Sequence, residues 1–475
     1  MKKILLLCLI LLLIVPAAEA VDLDSLTFGG QVRMRGYKLN NFFDFNDEGD
    51  KDNFEVFRHK TSLWTKVDTG NDVSGFIQIT NQNYGEGVTY PSNSSTGDGW
   101  EVDNKSNKVF VDQAYINVDN FFDQPVTLKI GRQNLMYGSG FILFDGQSQM
   151  ASTSLYFDGV KVSLKLGENA VLDGLYFKDQ ENERDEEGRD DITLSGAYLT
   201  AHCPVIGGQQ EIYVLNLLDE GLDTVFTPDD EKDIWMVGLR LSDKYDCGLD
   251  YSAEIAYQDG NFEGSRDHEA LGYKLDAGFT LKDVAPTPRL FVGYASLSGD
   301  DPDTEENEAW DIFYGGWPQF GDLLAWKYVN MEYNRQAIEK YLLDEGVLPE
   351  GATLPPINSI SDYDPYYGLR GTTSEEAIFS NINIASAGIG LQLTNALSTQ
   401  FSYSLLTVDE PDYIDENGEL VENDDDFGDY YQFKLNYKYS PNLSFSAYLA
   451  MIEPGDAFVN DDDAYEAFWE TKLTF

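Results

Sequence analysis

The connections between the strand-like segments of this chain alternate in length, and this alternation limits the folds open to it. Segments with the period-two pattern of β-strands are joined by a short turn and then by a long acidic loop, repeatedly. The acidic loop at 40–52, for example, is followed by the tight turn TGND at 69–72. A soluble sandwich or solenoid gives no reason for this order, whereas a membrane-crossing barrel has its two ends in different compartments.

The segments number about eighteen, and single-chain bacterial outer-membrane barrels have an even number of strands. With both termini on one side, every short turn falls on the periplasmic side and every long acidic loop outside. The sequence therefore predicts an all-β fold, a transmembrane antiparallel β-barrel in the bacterial outer membrane.

The two faces of the strands agree with this fold. In the strand at 430–439, Tyr431, Phe433 and Leu435 alternate with polar residues, so lipid can cover one face and water the other. In the final strand, FWETKLTF, Trp469 and Phe475 lie on the apolar face. A terminal strand that ends in Phe resembles the signature read by the machinery that assembles outer-membrane barrels, so lipid and that machinery are expected partners.

The N-terminus has the pattern of a secretory signal peptide. Lys2 and Lys3 precede a short apolar run, and the small residues Ala18 and Ala20 form a cleavage site. We expect residues 1–20 to be removed and residues 21–475 to form the barrel. No other segment approaches the ~18 apolar residues of a membrane helix, which excludes a helical membrane protein.

Charge and composition exclude two further classes of protein. The chain carries 32 basic and 83 acidic residues, a net charge of −51, and this balance repels nucleic acid. An aromatic content of 13% does not fit a disordered chain.

Cys203 and Cys247 lie in short turns with a hairpin between them, so two unpaired thiols are expected rather than a disulfide.

Charges on the water-facing parity would line a channel. A basic wall is predicted where the first and last strands meet, from Arg33, Arg35, Arg58, Lys60, Lys66, Lys434, Lys438 and Lys472. Arg132 shares parity with apolar neighbours and would turn inward only through a bulge at Gly131. Asp250, Glu254 and Asp276 would form an acidic wall opposite. Such walls would select charged solutes; alternatively, the charges pair with each other and keep the interior wet.

The first long loop resembles a calcium-binding loop. Asp44, Asn46, Glu48 and Glu55 occupy the first, third, fifth and twelfth positions of an EF-hand-like spacing. No helix flanks the loop, and the alternative is a solvated acidic loop. Calcium is the one cofactor considered. The three histidines, His59, His202 and His268, have no catalytic or metal-ligand spacing, so no enzyme is predicted.

Two connections depart from the regular pattern. Residues 136–153 are rich in Gly and Ser yet apolar, and residues 299–376 are long, with several aromatic residues near their start. Long loops without a function are uncommon. Both loops are expected to fold into the lumen as a constriction or a lid.

Three short motifs resemble those of the alginate-export porin family. They are Gly131-Arg132-Gln133, Tyr137-Gly138 and Phe157-Asp158-Gly159-Val160, and the stretch at 293–300, GYASLSGD, resembles a second family block. The resemblance implies an eighteen-stranded outer-membrane barrel over the whole mature chain.

The chain departs from the family pattern at two places. Family members commonly carry arginines where this chain has residues such as Phe141 and Leu155, so alginate as the cargo does not follow from the resemblance. The expected function is an outer-membrane channel for a polar, anionic or carbohydrate solute such as a polysaccharide. The alternatives are a structural or adhesive barrel with a plugged lumen and a general diffusion porin.

Overall fold

The computed structural model describes residues 25–42, 45, 54–84, 109–146, 154–180, 192–203, 207–219, 232–262, 266–325, 379–414, 420–421, 424–458 and 460–475. The expected signal peptide, residues 1–20, lies outside this part of the chain. No helix in these ranges is long and apolar enough to cross a membrane.

Eighteen of the strands form one sheet. In chain order they are β1 Leu26–Asn40, β2 Phe54–Asp68, β3 Val73–Tyr84, β4 Val109–Val118, β5 Val126–Gln133, β6 Phe157–Lys165, β7 Ala170–Gln180, β8 Ile192–Ala201, β9 Gln209–Asp219, β10 Lys232–Lys244, β11 Leu249–Phe262, β12 Arg266–Thr280, β13 Arg289–Leu297, β14 Ile382–Gln392 and β15 Leu397–Thr407, followed after a short hairpin of β16 Tyr413–Ile414 and β17 Leu420–Val421 by β18 Asp426–Lys438, β19 Leu443–Pro454 and β20 Ala464–Thr474.

The sheet closes on itself. Each of the eighteen strands pairs antiparallel with the strands that precede and follow it in the chain, and β15 pairs with β18 past the small hairpin. The first strand, β1, also pairs with the last strand, β20. The last residue completes this seam, because the Phe475 amide and carbonyl exchange hydrogen bonds of 3.0 and 2.8 Å with Gly30. The predicted eighteen-stranded antiparallel barrel is therefore confirmed.

The connections at the two ends of the barrel differ in length. At one end the strands are joined by turns such as 69–72, 245–248 and 439–442. At the other end the connections include 134–156 and 298–381. We call these the short-turn end and the long-loop end.

The outer face of the barrel is apolar. Val32 and Met34 of β1 are more than two-fifths exposed, as are Leu63, Ile77 and Trp469 on strands nearby. In β20 the outward parity includes Tyr465, Trp469 and Leu473, as predicted from the period-two pattern. Such a surface is unfavourable in water and requires an apolar solvent such as lipid.

No disulfide joins the two turn cysteines within the described residues. Cys203 is half-buried and Cys247 is exposed. This agrees with the expectation that a disulfide between them does not form.

Candidate functional site: the interior of the barrel

Four cations lie side by side on the interior face of β1 and β2. The strand register places Arg33 opposite Lys60 and Arg35 opposite Arg58. All four side chains are at least nine-tenths buried, while the alternate residues of β1 face outward. We call Arg33, Arg35, Arg58 and Lys60 the basic cluster. Its members share one face because side chains two residues apart along a strand point the same way.

Carboxylates from two other elements meet the basic cluster. Glu470 of β20 lies opposite Arg35 and accepts hydrogen bonds from its Nη2 and Nε at 2.6 and 2.9 Å. Its Oε2 is 3.8 Å from Arg33 Nε. Asp322, on the loop after β13, is 3.7 Å from Arg35 Nη1. The cluster is therefore substantially ion-paired, as the alternative interpretation of the interior charges expects.

A buried polar network surrounds Lys60. Lys60 Nζ donates to Ser154 Oγ at 2.7 Å, and Ser154 donates to Asp112 Oδ2 at 2.9 Å. Gln78 and Thr80 donate to the same carboxylate oxygen. Asp112 enters the interior at a bulge in β4, where the register to β3 shifts after Gln78. The network fixes the segment that follows the loop at 136–153 to the barrel wall.

The other predicted lining residues lie around this cluster. Lys434 is buried to an intermediate degree and has its Nζ 5.7 Å from the Tyr448 ring centre. Lys472 is half-buried and lies opposite Arg33. Lys66 and Lys438 share the inward parity but are exposed near the short-turn end.

Arg132 does not line the interior, which corrects the sequence interpretation. The register from β4 through β5 to β6 continues without a shift at Gly131, so no bulge turns the side chain inward. Arg132 instead lies on the same face of β5 as Ile130, which is exposed on the outside of the barrel. It forms a two-contact ion pair with Asp158, directly opposite on β6, at 2.9 and 2.6 Å.

The opposite wall is not purely acidic. Glu254 lies 3.6 Å from Arg240 and accepts a hydrogen bond from Tyr213 at 3.1 Å. Asp250 accepts from Arg289 at 3.0 Å, and Asp276 is 3.8 Å from Lys274. These contacts neutralise much of the predicted acidic wall, so the interior is a mixed and paired polar surface.

Two loops from the long-loop end meet inside the barrel. Phe144 N donates to Tyr314 O at 3.0 Å, Tyr314 N donates to Ile142 O at 3.2 Å, and Gly316 N donates to Gly140 O at 2.9 Å. The two segments also form a parallel bridge at Leu143 and Tyr314. We call residues 137–144 and 309–325 together the interior plug. The expectation that both loops fold inward is confirmed for the residues of the interior plug.

The centre of the interior plug is apolar. Phe141 and Trp310 are fully buried and stack at 5.7 Å between ring centres with a 22° angle between planes. Leu143, Leu323 and Leu324 are also fully buried. Phe141 occupies a place where family members commonly have arginine. This chain therefore has an apolar contact at that place.

Polar contacts attach the plug to the wall. Lys274 Nζ donates to Gln319 Oε1 at 2.8 Å, and Asp311 N donates to Gln258 Oε1 at 2.9 Å. Ser298, in the block at 293–300, accepts from Trp310 N through its carbonyl oxygen at 3.0 Å. The motif residue Tyr137 donates to Asp173 Oδ2 at 2.6 Å. The motifs that resemble the family thus build the barrel wall and the plug rather than a set of lumen arginines.

Sequence reasoning missed the acidic partners of the basic cluster. Glu466 and Glu470 share the polar parity of the last strand and could have been found from that pattern. Asp112 was hidden because the bulge in β4 shifts the alternation. Nothing in the local sequence of Asp322 marks it, since its loop reaches the cluster only through the fold.

The candidate calcium loop is only partly described. Asp44, Asn46 and Glu48 lie outside the described residues. Glu55 is in β2, where its carboxylate is 3.0 Å from Lys38 Nζ at an exposed position.

Carboxylates also gather at the root of the long loop after β13. Asn381 Oδ1 accepts from the amides of Asp409 and Glu410 at 3.1 and 2.7 Å. Burial, together with the negative charges of Asp409 and Asp301, raises the pKa of Glu410 to about 7. The segment at 408–410 is thereby held next to the root of the plug.

The raised pKa of Glu410 predicts that the attachment of the segment at 408–410 to the root of the plug depends on pH. Because Glu410 has a higher pKa when docked than when released, docking is favoured below the ordinary pKa of Glu and weakens as pH rises through about 7. We expect limited proteolysis near residue 410 to be faster above neutral pH than at mildly acidic pH. Glu410→Gln should abolish that difference, and an unchanged difference in this variant would contradict the assignment.

Comparisons with known proteins agree with this architecture. The chain matches the alginate-export family over residues 24–343. No curated protein sequence matches it. Among solved structures, it resembles OccAB2 of Acinetobacter baumannii at 11% identity and TM-score 0.52, covering 96% of this chain and 99% of that one. A BenF-like porin from Pseudomonas fluorescens Pf-5 gives 11% identity and TM-score 0.51, with 95% and 99% covered.

The structural similarities and the family match support different conclusions. The structures are too distant in sequence to show more than the shared barrel fold. The family match spans well over half of the 475 residues. The chain therefore belongs to the alginate-export family and is a β-barrel channel protein of the bacterial outer membrane.

Proposed function

We propose that the barrel passes a polar solute, anionic or carbohydrate, across the outer membrane. The observation that carries the proposal is the basic cluster, four buried cations on one interior wall beside the plug. A buried cation is stable only when paired, and a passing anion can exchange with the carboxylates that pair it. The short-turn end would face the periplasm and the long-loop end the exterior, as in other bacterial barrels.

Planar-bilayer recording tests this proposal. We expect discrete openings from the refolded protein, with a reversal potential in a salt gradient that favours anions. The triple variant with Arg33, Arg58 and Lys60 changed to Gln should shift that potential toward cations. Arg35 is retained in this variant because it also holds Asp322 and Glu470.

A matched control removes three charges elsewhere. Lys165, Lys244 and Lys282 are exposed near the short-turn end, and their change to Gln gives the same net charge. The control should leave the reversal potential unchanged. Equal potentials in the wild type and the interior variant would reject the anion preference.

The apolar contact in the plug favours a second candidate, a structural or adhesive barrel whose lumen stays closed. Phe141 and Trp310 present no polar group to a solute at their ring faces. A barrel without openings at any voltage, even after removal of the plug contact, would favour this candidate. The expectation that the terminal Phe475 engages the assembly machinery applies to both.

A further inference from the structure

Two buried carboxyl groups meet where the plug touches the wall. Asp322 of the plug and Glu466 of β20 have 5% and 2% of their surfaces exposed, and their carboxyl groups lie close enough to interact. Both Glu466 oxygens and Asp322 Oδ2 lack a hydrogen-bond donor among the described residues. Two carboxylates in contact can form a hydrogen bond only when they share a proton.

The surroundings do not supply enough positive charge to replace this proton. Arg35 lies 3.7 Å from Asp322 but is bound more closely to Glu470, at 2.6 Å. Arg58 and Lys434 are the other cations that act on Asp322. Tyr430, which lies against Gly321, and Tyr448 are fully buried, and their hydroxyl groups are hydrogen-bonded to each other at 2.8 Å. Burial raises the pKa of the Asp322 carboxyl, and Arg35 opposes that shift only in part.

The same place is a mechanical contact between plug and wall. Asp322 begins a short helical turn, residues 322–325, that carries the fully buried Leu323 and Leu324. Gln432 of β18 donates to Phe320 O at 3.4 Å just before it. Gly321, with a φ of +142°, brings the backbone against the Tyr430 ring, where a Cβ would be 2.1 Å from the hydroxyl oxygen. Repulsion between Asp322 and Glu466 would therefore act directly on the docked segment.

We propose that Asp322 and Glu466 form a proton-sharing latch that holds this part of the plug against the barrel wall and releases it when the shared proton is lost. Docking raises the pKa of the Asp322 carboxyl. The latch is thus fully formed below the ordinary pKa of Asp and weakens as pH rises through the raised pKa of docked Asp322. The inference rests on the proposed channel function for its consequence, because release would enlarge the passage, but the latch itself does not depend on conduction.

A thiol-accessibility experiment tests the latch without requiring a channel. Ala325→Cys, in a protein whose Cys203 and Cys247 are changed to Ser, places a thiol at a position that is 6% exposed. The labelling rate is corrected for thiol ionisation with a fully exposed cysteine at Asp246→Cys. We expect the corrected rate to rise with pH by up to about tenfold per unit, the limit for a step that releases one proton.

Glu466→Gln supplies the decisive comparison. The amide donates a hydrogen bond to Asp322 without a titrating proton, so the corrected rate should stay low and independent of pH. Asp322→Asn, which changes the loop rather than the wall, should do the same if the wall variant fails to fold. Glu269→Gln, on the outer face of β12, is the matched control and should keep the wild-type pH response. A pH-independent wild-type rate, or a wild-type response in both latch variants, would overturn the latch.

Conductance recorded on the same variants separates the two proposals. A pH-dependent accessibility in a barrel without openings retains the latch and rejects the channel. Openings with pH-independent accessibility retain the channel and reject the latch.

Discussion

Glu470→Ala is expected to lower the free energy of unfolding of the barrel by about 3–5 kcal/mol, the usual cost of leaving a buried charge without its partner. Glu470 is 3% exposed, accepts two hydrogen bonds from Arg35 and lies beside Arg33. Its removal leaves two guanidinium groups close together in the seam between β1 and β20. Urea unfolding in detergent or lipid, followed by the heat-modifiable mobility of the barrel on gels, measures the loss.

Two controls identify the cause of this loss. Glu269→Ala removes a carboxylate from the outer face and should cost much less. Glu470→Ala combined with Arg35→Met removes the uncompensated charge and should recover part of the stability. Equal stability of Glu470→Ala and the wild type would show that the ion pair contributes nothing measurable.

Trp310→Ala is expected to loosen the interior plug and raise single-channel conductance several-fold. Trp310 is fully buried, stacks on Phe141 and lies against Gly272, where an added Cβ would be 2.8 Å from the indole ring. Truncation of a buried aromatic side chain typically costs about 3–5 kcal/mol. We expect the cost to fall on the attachment of the plug, since Trp310 belongs to the loop after β13 and not to a barrel strand.

The matched control is Trp235→Ala. Trp235 is 48% exposed on the outer face of β10, so its truncation removes the same side chain without touching the plug. The control should leave conductance unchanged. Conductance that is identical in Trp310→Ala and Trp235→Ala would show that the Trp310 contact does not restrict the passage.

The barrel itself was predictable because each strand is marked by a pattern within its own short stretch of sequence. Period-two alternation places the first three strands at about 26–39, 53–69 and 73–83, which agrees with β1, β2 and β3 to within about one residue. The parity of β20 assigns its outer face correctly. Alternation succeeds because each strand separates lipid from a polar interior along its whole length.

The interior contacts were less predictable because they depend on neighbours distant in sequence. The basic cluster followed from parity, but the pairing of Arg35 with Asp322 requires a loop that returns into the barrel. Arg132 was misassigned as a lining residue because a bulge was expected at Gly131. Gly131 does have a positive φ, +119°, but the strand register does not shift there. The glycine is needed for close approach, since a Cβ there would be 2.3 Å from Ala114 O.

The parallel bridge between Leu143 and Tyr314 has a consequence for the order of folding. Barrel hairpins join strands that are adjacent in sequence, so the loops they close are short. The bridge joins two segments with eight strands, β6–β13, between them, and such a contact carries a larger entropic cost of closure. We expect the hairpins of the wall to form before the two loops meet. A barrel that closes before its two loops meet would be transiently leaky, and its insertion into vesicles should release a trapped dye before the final packing of Phe141 on Trp310.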